Sequence, residues 1–331
     1  MAILVTGGAG YIGSHMVLAL LDAGEEVVVI DNLSTGFQWA VPPRARLVEA
    51  DIADEAAVDG LLSGGGIEAI IHFAGSIVVP DSIADPLGYY LNNTVKTRGL
   101  IAAAVRHGVK RFIFSSTAAV YGMPEENPVV ETARLRPISP YGSSKLMSEI
   151  MLADASVAHD FSYVALRYFN VAGADPGGRS GQSTPRATHL IKVACETALG
   201  RREKLSVYGT DYDTPDGTCI RDYIHVSDLA AAHLLALGHL RAGGASEVMN
   251  CGYGRGYSVR EVIGAVNRAA GHEIPVEFTG RRPGDPAALV ARADRVRDVL
   301  GWRPAHEDLD GIVASALAWE RDLPDRKRQA N

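Results

Sequence analysis

With 331 residues, 47% apolar and 21% charged, the chain has the makeup of one large globular unit or two packed ones. A net charge of -7, with lysine and arginine scattered rather than blocked, excludes a basic footprint for nucleic acid. No apolar stretch is long enough to span a membrane. The three cysteines, Cys195, Cys219 and Cys251, lie far apart without metal-ligand spacing, so free thiols, no metal and a reducing compartment are expected. The start, Met1 to Val5, runs into a glycine loop with no basic leader or cleavage site, so a cytoplasmic location is expected.

Ile3-Leu4-Val5 suits a strand buried on both faces. Gly7, Gly10 and Gly13 follow as G-x-x-G-x-x-G, then an apolar helix pattern to Leu21, a break at Ala23-Gly24, and a second buried strand, Glu25 to Asp31. Strand, glycine turn, helix, strand and terminal acid make the setting that a dinucleotide fingerprint requires. Gly7 and Gly10 let the backbone turn and approach a pyrophosphate, Gly13 permits close helix packing, and the helix N-terminus adds partial positive charge. Asp31 stands where a carboxylate would accept from both ribose hydroxyls and repel a 2'-phosphate, which predicts NAD rather than NADP.

Further β-α units follow. Leu47 to Asp51 reads as a strand whose end, Asp51-Ile52, is placed to meet the adenine. Ala69 to Gly75 is another, ending in Phe73-Ala74-Gly75 where a cofactor would lie close; His72 within it reads as a satisfied strand histidine. Asn92-Asn93-Thr94 falls in a helix ending near His107-Gly108, and Phe112-Ile113-Phe114 leads to Ser115-Ser116-Thr117. Ligands of a doubly wound sheet sit at the carboxyl ends of its strands, so these hydroxyls face one cleft. In Pro140 to Lys145, Tyr141 and Lys145 are spaced i, i+4, one turn apart on one helical face. An ammonium roughly 5 Å from a phenol, at an effective dielectric of about 20, favours the phenolate by about 3 kcal/mol, or roughly two pKa units. Thr117, Tyr141 and Lys145 therefore form a candidate proton-abstraction set, with the hydroxyl holding a reacting alcohol oxygen while the phenol removes its proton.

The second half continues with a strand over Val164 to Asn170, a polar loop from Gly173 to Thr188, and a helix over Leu190 to Leu199. Leu205 to Tyr208 and Arg221 to Val226 read as strands, the latter followed by a helix under Ser227/Asp228 caps. Met249 to Gly252 is a strand end, Ser258 caps a helix, Arg281 to Asp285 forms a tight basic turn, and the charged tail after Trp319 is expected to fray. Arg221 and Arg282, at loop positions, could clamp a diphosphate. The expected architecture is α/β: a Rossmann-type doubly wound parallel sheet (residues 1–169 with about 220–250) and a smaller mixed α/β substrate domain (about 170–219 with 251–331).

Thr6 to His15, Asp31 to Ser34, Ser115 to Gly122, Arg167 to Asn170 and Asp216 to Val226 together resemble the UDP-glucose 4-epimerases of the extended short-chain dehydrogenase/reductase family, the last run being the most specific. The likeness extends to about Pro304. It implies tightly held NAD, with Tyr11 and Ile12 of the glycine loop, Asp31, Asn32, Asp51, Ile52, Phe73, Ala74, Gly75, Asn92, Ser115, Tyr141, Lys145 and Tyr168 as cofactor contacts. Tyr141 takes the place of the catalytic base and Thr117 of its hydroxyl partner. Thr117, Asn170, Leu190, Tyr208, Arg221, Arg282 and Asp285 take those of the UDP-sugar contacts. The resemblance also implies a homodimer built from helices near Asn92–Arg106 and Tyr141–Ala155. The chain departs from the family at Ile77, where some members carry lysine, and at His189, where asparagine is common; Leu289 stands where side-chain size tunes room for an N-acetyl group. Ala118-Ala119 after Thr117 lack the acidic pair of the sugar 4,6-dehydratases. Competing readings are a 4-epimerase of UDP-xylose/UDP-arabinose or UDP-glucuronate, a net NAD-dependent oxidoreductase, and a non-catalytic dinucleotide sensor.

Overall fold

The computed structural model describes residues 1–329 apart from Arg186 and Pro283, with side chains through Arg326. Its strands, in chain order, are β1 (Ala2–Thr6), β2 (Val27–Asp31), β3 (Arg46–Glu49), β4 (Ile67–His72), β5 (Arg111–Thr117), β6 (Ser162–Tyr168), β7 (Asn170–Ala172), β8 (Leu205–Tyr208), β9 (Ile220–His225), β10 (Glu247–Cys251), β11 (Gly256–Ser258), β12 (Val276–Thr279) and β13 (Ala288–Leu289). Seven of them form one parallel sheet in the order β10-β6-β5-β4-β1-β2-β3. The chain reverses direction across the sheet between β1 and β4, and this switch point opens a crevice at the carboxyl ends of both strands.

The strands are apolar almost throughout because both faces of the sheet are covered. Ile3, Val5, Val29, Ile71, Ile113, Val164 and Met249 pack on one side with the helices Tyr11–Asp22 and Val226–Arg241. Leu4, Ile30, Ile70, Phe112, Phe114 and Ala165 pack on the other with the helices Lys96–Arg106 and Pro140–Ala158. Each large side chain removed from water contributes on the order of 2 kcal/mol, so the sheet is a rigid base for whatever stands at its edge.

The second half builds a four-stranded sheet in which β9 joins β11, β13 and β7, and a separate pair, β8 with β12. The strand Ile220–His225, expected inside the dinucleotide-binding unit, thus belongs to this smaller sheet, whereas β10 and the helix Val226–Arg241 lie with the large one. That helix is not capped by Ser227 or Asp228: its N-cap is His225, whose Nδ1 accepts from Ser227 N at 3.1 Å. Asp228 is buried instead, accepting from Tyr253 Oη, Ala305 N and His306 N, so its carboxylate anchors a distant loop. Ser258 does cap its helix, in a capping box with Glu261. The tail also departs from expectation. Leu309–Gln329 is one helix, held by buried Glu320, which pairs with Lys192 and with Arg201. The basic turn near Arg281 includes Pro283, which lies outside the described residues.

Candidate active site

The glycine loop follows β1 directly. Gly7 adopts φ +69°, and a Cβ there would stand 2.6 Å from Ala74 N; a Cβ on Gly13 would stand 2.1 Å from Gly7 O. Two glycines are therefore demanded by backbone packing, one against the end of β4 and one against the loop itself. Gly10 differs, since its only near neighbour would be Gly7 O at 3.3 Å. Its outer side is open, as a loop receiving a phosphate requires. Asp31, buried at the end of β2, accepts from Ala9 N at 2.9 Å and Leu33 N at 2.8 Å. These bonds lock its carboxylate beside the loop and leave further lone pairs for ribose hydroxyls. Tyr11 Oη donates to Gly173 O at 2.7 Å, and Ile12 packs into the core.

Asp51 lies just past β3 rather than in it. Burial raises its carboxyl, but Lys96 Nζ at 2.6 Å, Ala53 N and Asn32 Nδ2 at 2.9 Å hold it net below the usual carboxylate range. Ile52 beside it is buried. Phe73 packs against His233 with ring centroids 5.0 Å apart, and Gly75 faces Lys145, whose Nζ would be 3.7 Å from a Cβ there. The helix before Lys96 contains a π-turn, Tyr90–Val95, of the kind found at functional sites. Asn92 donates to Ser76 Oγ at 2.9 Å, while buried Asn93 clamps Ser76 through N–H at 2.7 Å and C=O at 2.9 Å, and reaches Ser144 Oγ. Asn93 fixes the loop after β4, a task that the sequence alone did not reveal. His72 is satisfied by Thr6 at 2.6 Å and Thr97 at 2.8 Å, as expected of a strand histidine.

The catalytic candidates converge at the end of β5. Ser139 caps the helix Pro140–Ala158, accepting from Gly142 N, and Gly142 carries no Cβ that would strike Ala119 O at 2.6 Å. This close approach brings Tyr141 onto Thr117. Thr117 Oγ1 accepts from Ala119 N at 3.1 Å, and its hydroxyl is near enough to the Tyr141 phenol to lower it. Lys145 is buried, donates to Ser115 O at 2.8 Å and lies 4.9 Å from the Phe114 ring centroid. Burial dominates the electrostatics of this pair. Burial raises the Tyr141 phenol, only partly offset by Thr117, and Lys145 has no resolved part in its shift. The ammonium is turned to a strand carbonyl instead, and burial pushes it down to about 8 against the attraction of Glu149. Thr117 lowers the phenol against that burial. Tyr168, at the end of β6, is hydrogen-bonded to His233 Nε2, whose Nδ1 meets Leu229 O at 2.8 Å. His233 is a second residue missed in the sequence, because nothing in its alanine-rich helix marks it.

Across the crevice, Asn170 and Leu190 line an open cavity of about 420 Å³ with His189, Tyr223 and Trp319. His189 is bonded to Gln182 at 2.8 Å. Arg221, Arg282 and Asp285 meet: Arg282 Nε donates to Asp285 at 3.0 Å, and Arg221 Nη2 stands 3.8 Å from the same carboxylate. Arg282 also lies 5.1 Å from the Tyr208 ring centroid. Arg221 is aimed by its bonds to Ile220 O and Pro286 O, both 2.8 Å. Two guanidinium groups sharing one carboxylate keep positive charge available to an anion.

The fold thus presents a glycine loop with a buried Asp31 at the strand ends, a phenol beside a strand-end hydroxyl, and an arginine pair on one carboxylate. The chain belongs to the NAD dependent epimerase/dehydratase family, which it matches over residues 3–252. The resemblance to UDP-glucose 4-epimerases extends over the whole chain. It is 60% identical to that of Azospirillum brasilense, over 99% of this chain and 94% of its relative, and 46% identical to that of Halalkalibacterium halodurans, over 98% and 97%. Among solved structures, UDP-glucose 4-epimerase from Brucella ovis in complex with NAD superposes with a TM-score of 0.93 at 46% identity, covering 96% of this chain and 97% of that one. The enzyme from Bifidobacterium longum in complex with NAD+ and UDP does so with 0.93 at 39%, covering 98% and 100%.

Proposed function

We propose that this chain is a UDP-glucose 4-epimerase, interconverting UDP-glucose and UDP-galactose by inverting C4 of the sugar with NAD. The observation that carries the chemistry is the close approach of the helix bearing Tyr141 and Lys145 to the strand end bearing Thr117, where a Cβ on Gly142 would stand 2.6 Å from Ala119 O and Lys145 Nζ donates to Ser115 O at 2.8 Å. NAD, when bound, supplies the acceptor and donor of the C4 hydride. Tyr141 takes the proton from the sugar O4 and later returns it, while Thr117 orients that oxygen. A phenol raised by burial is a strong base once ionised, and the Thr117 hydroxyl steadies the phenolate. Lys145, fixed on Ser115 O, brings positive charge to the same pocket. Gly7, Gly10 and Gly13 cradle the pyrophosphate and Asp31 takes the ribose hydroxyls. Arg221 and Arg282 grip the diphosphate, with Asn170, Leu190 and Tyr208 around the nucleoside. Binding energy spent there holds the oxidised sugar in place while leaving its ring free to present either face to Tyr141.

The protein is further proposed to be a cytoplasmic homodimer. Three free, buried cysteines support a reducing compartment, and among the described residues no helix is long and apolar enough to cross a membrane. Leu87, Leu91 and Val95 are exposed along the helical run that starts at Pro86, Ile83 on the short helix just before it, and Met147, Ile150 and Val157 along the helix packed on both. Apolar stripes so placed suit burial against a second copy. The test is a panel of UDP-galactose, UDP-glucose, their N-acetyl forms, UDP-xylose and UDP-glucuronate, assayed without added NAD. Fastest interconversion of a pentose or uronate pair overturns the substrate. Tyr141→Phe should keep UDP-sugar binding and lose turnover by orders of magnitude; wild-type rates in that variant rule out the base.

A further inference from the structure

Beneath the catalytic crevice lies a buried ion pair that the chemistry above does not use. Glu149 stands on the helix Pro140–Ala158 one turn beyond Lys145 and two beyond Tyr141, on the same face. Its carboxylate receives Arg167 Nε at 3.0 Å and Nη2 at 2.7 Å, a bidentate fork between side chains 5% and 4% exposed. Ser116 Oγ donates to the same carboxylate. Ser116 is the residue between Ser115, which holds Lys145, and Thr117, which meets Tyr141; in the sheet it pairs with Arg167 across β5 and β6. A single carboxylate therefore ties the helix carrying the phenol to the strand carrying the hydroxyl.

The network continues under the substrate side. Arg167 Nη1 donates to Tyr121 Oη at 2.9 Å and to Glu131 O at 3.2 Å, and Tyr121 Oη donates to Asn250 Oδ1 at 2.6 Å. Asn250 Nδ2 donates to Val129 O, and Val129 in turn exchanges backbone bonds with Val290 and Arg292, just beyond the strand that follows Asp285. An ion pair at this depth is not required for stability, because desolvating both charges offsets most of their attraction and apolar residues of similar volume commonly serve as well. What apolar residues lack is direction. A bidentate fork fixes angle and register together.

We propose that Glu149 is a positioning residue for the epimerisation, setting the register of Tyr141 and Lys145 against Thr117 through Ser116 and Arg167. It touches neither substrate nor cofactor in this assignment; it acts by holding the phenol and hydroxyl at reacting distance, where small displacements are costly. The assignment rests on Tyr141 being the base. Failure of the unaltered chain to interconvert any UDP-sugar counts against that reading, whereas normal turnover in the variants below counts against this one.

Two variants separate positioning from folding. Ser116→Ala removes one bond and no charge; kcat for UDP-galactose should fall about tenfold with KM unchanged. Glu149→Leu combined with Arg167→Met and Ser116→Ala removes both charges of the pair together. It should melt cooperatively near the wild-type temperature and bind UDP with unchanged affinity, yet lose kcat about a hundredfold. A merely structural role predicts the opposite pattern, a shifted melting temperature with wild-type kcat per folded molecule. Wild-type kcat in Ser116→Ala, or in the folded charge-free variant, overturns the proposal, as does a rise in KM at constant kcat.

Discussion

Gly10 and Gly13 belong to one motif, yet the structure assigns them different physical tasks, and alanine substitution separates these. At Gly13 a Cβ would stand 2.1 Å from Gly7 O and 2.9 Å from Gly7 C and Gly8 Cα, all backbone. Ordinary contact requires the helix Tyr11–Asp22 to retreat by roughly 1 Å, and overpacking of this kind costs about 1–3 kcal/mol. Better helix propensity returns at most about 1 kcal/mol. Gly13→Ala should therefore be destabilised by about 1–2 kcal/mol, lowering the melting temperature of a chain of 331 residues by roughly 1.5–3 °C. At Gly10 the sole close contact is 3.3 Å, which a shift of a few tenths of an ångström relieves. Gly10→Ala should melt within about 1 °C of wild type. Its new methyl projects onto the open side of the loop, where the pyrophosphate is proposed to lie, so NAD affinity should fall at least about tenfold. The assay is calorimetric titration of NAD alongside thermal unfolding of both variants. Wild-type NAD affinity in Gly10→Ala would refute the cradle, and unchanged stability in Gly13→Ala would refute the packing argument.

Gly142→Ala should lower kcat about tenfold or more, because its Cβ would meet Ala119 O at 2.6 Å and part Tyr141 from Thr117; steady-state turnover of UDP-galactose checks it. Lys145, pushed down to about 8 from 10.5, binds fewer protons folded than unfolded between those values, so its contribution to stability grows as pH rises through that window and is lost on descent through 8. Against Lys145→Met, the wild-type advantage should accordingly increase by at most on the order of 3 kcal/mol from pH 8 to 10.5, read from denaturant unfolding; a gap flat with pH would show an ordinary lysine. Leu87→Glu with Met147→Glu should convert the proposed dimer to monomer in sedimentation velocity, since both side chains are exposed on the proposed interface. UDP-N-acetylglucosamine should turn over on the order of tenfold more slowly than UDP-glucose, with Leu289 half-buried on the strand beside Arg221.

The parts of the site legible in sequence are those whose chemistry is local. A strand, a glycine turn and a helix adjoin in the chain, so Gly7, Gly13 and Asp31 could be placed from spacing alone, and Tyr141 and Lys145 fall on one face because the helical period requires it. What was hidden depends on residues distant in sequence. Asn93 matters because a π-turn rotates it onto Ser76, and no composition signal distinguishes that turn from ordinary helix. His233 reaches Tyr168 across 65 positions from within a run of alanine and leucine. The Lys145 ammonium was expected roughly 5 Å from the phenol because i, i+4 spacing puts both on one helical face. In the fold it has a competitor, the Ser115 carbonyl at the buried strand edge, and a cation stripped of water takes the fixed dipole offered to it.

That displacement alters how the base is best understood. Were the ammonium paired directly with the phenol, their charges would ionise it, and Thr117 would serve the substrate alone. With Lys145 on Ser115 O, the phenol answers to the Thr117 hydroxyl and to whatever occupies the crevice. Burial then keeps Tyr141 protonated until that occupant supplies positive charge, so the strength of the base becomes conditional on a filled site. Such a phenol does not draw protons at random from solvent, and the arrangement requires Thr117 and Tyr141 to be held in register by structure rather than by mutual charge. The bidentate carboxylate of Glu149 beneath them supplies that register.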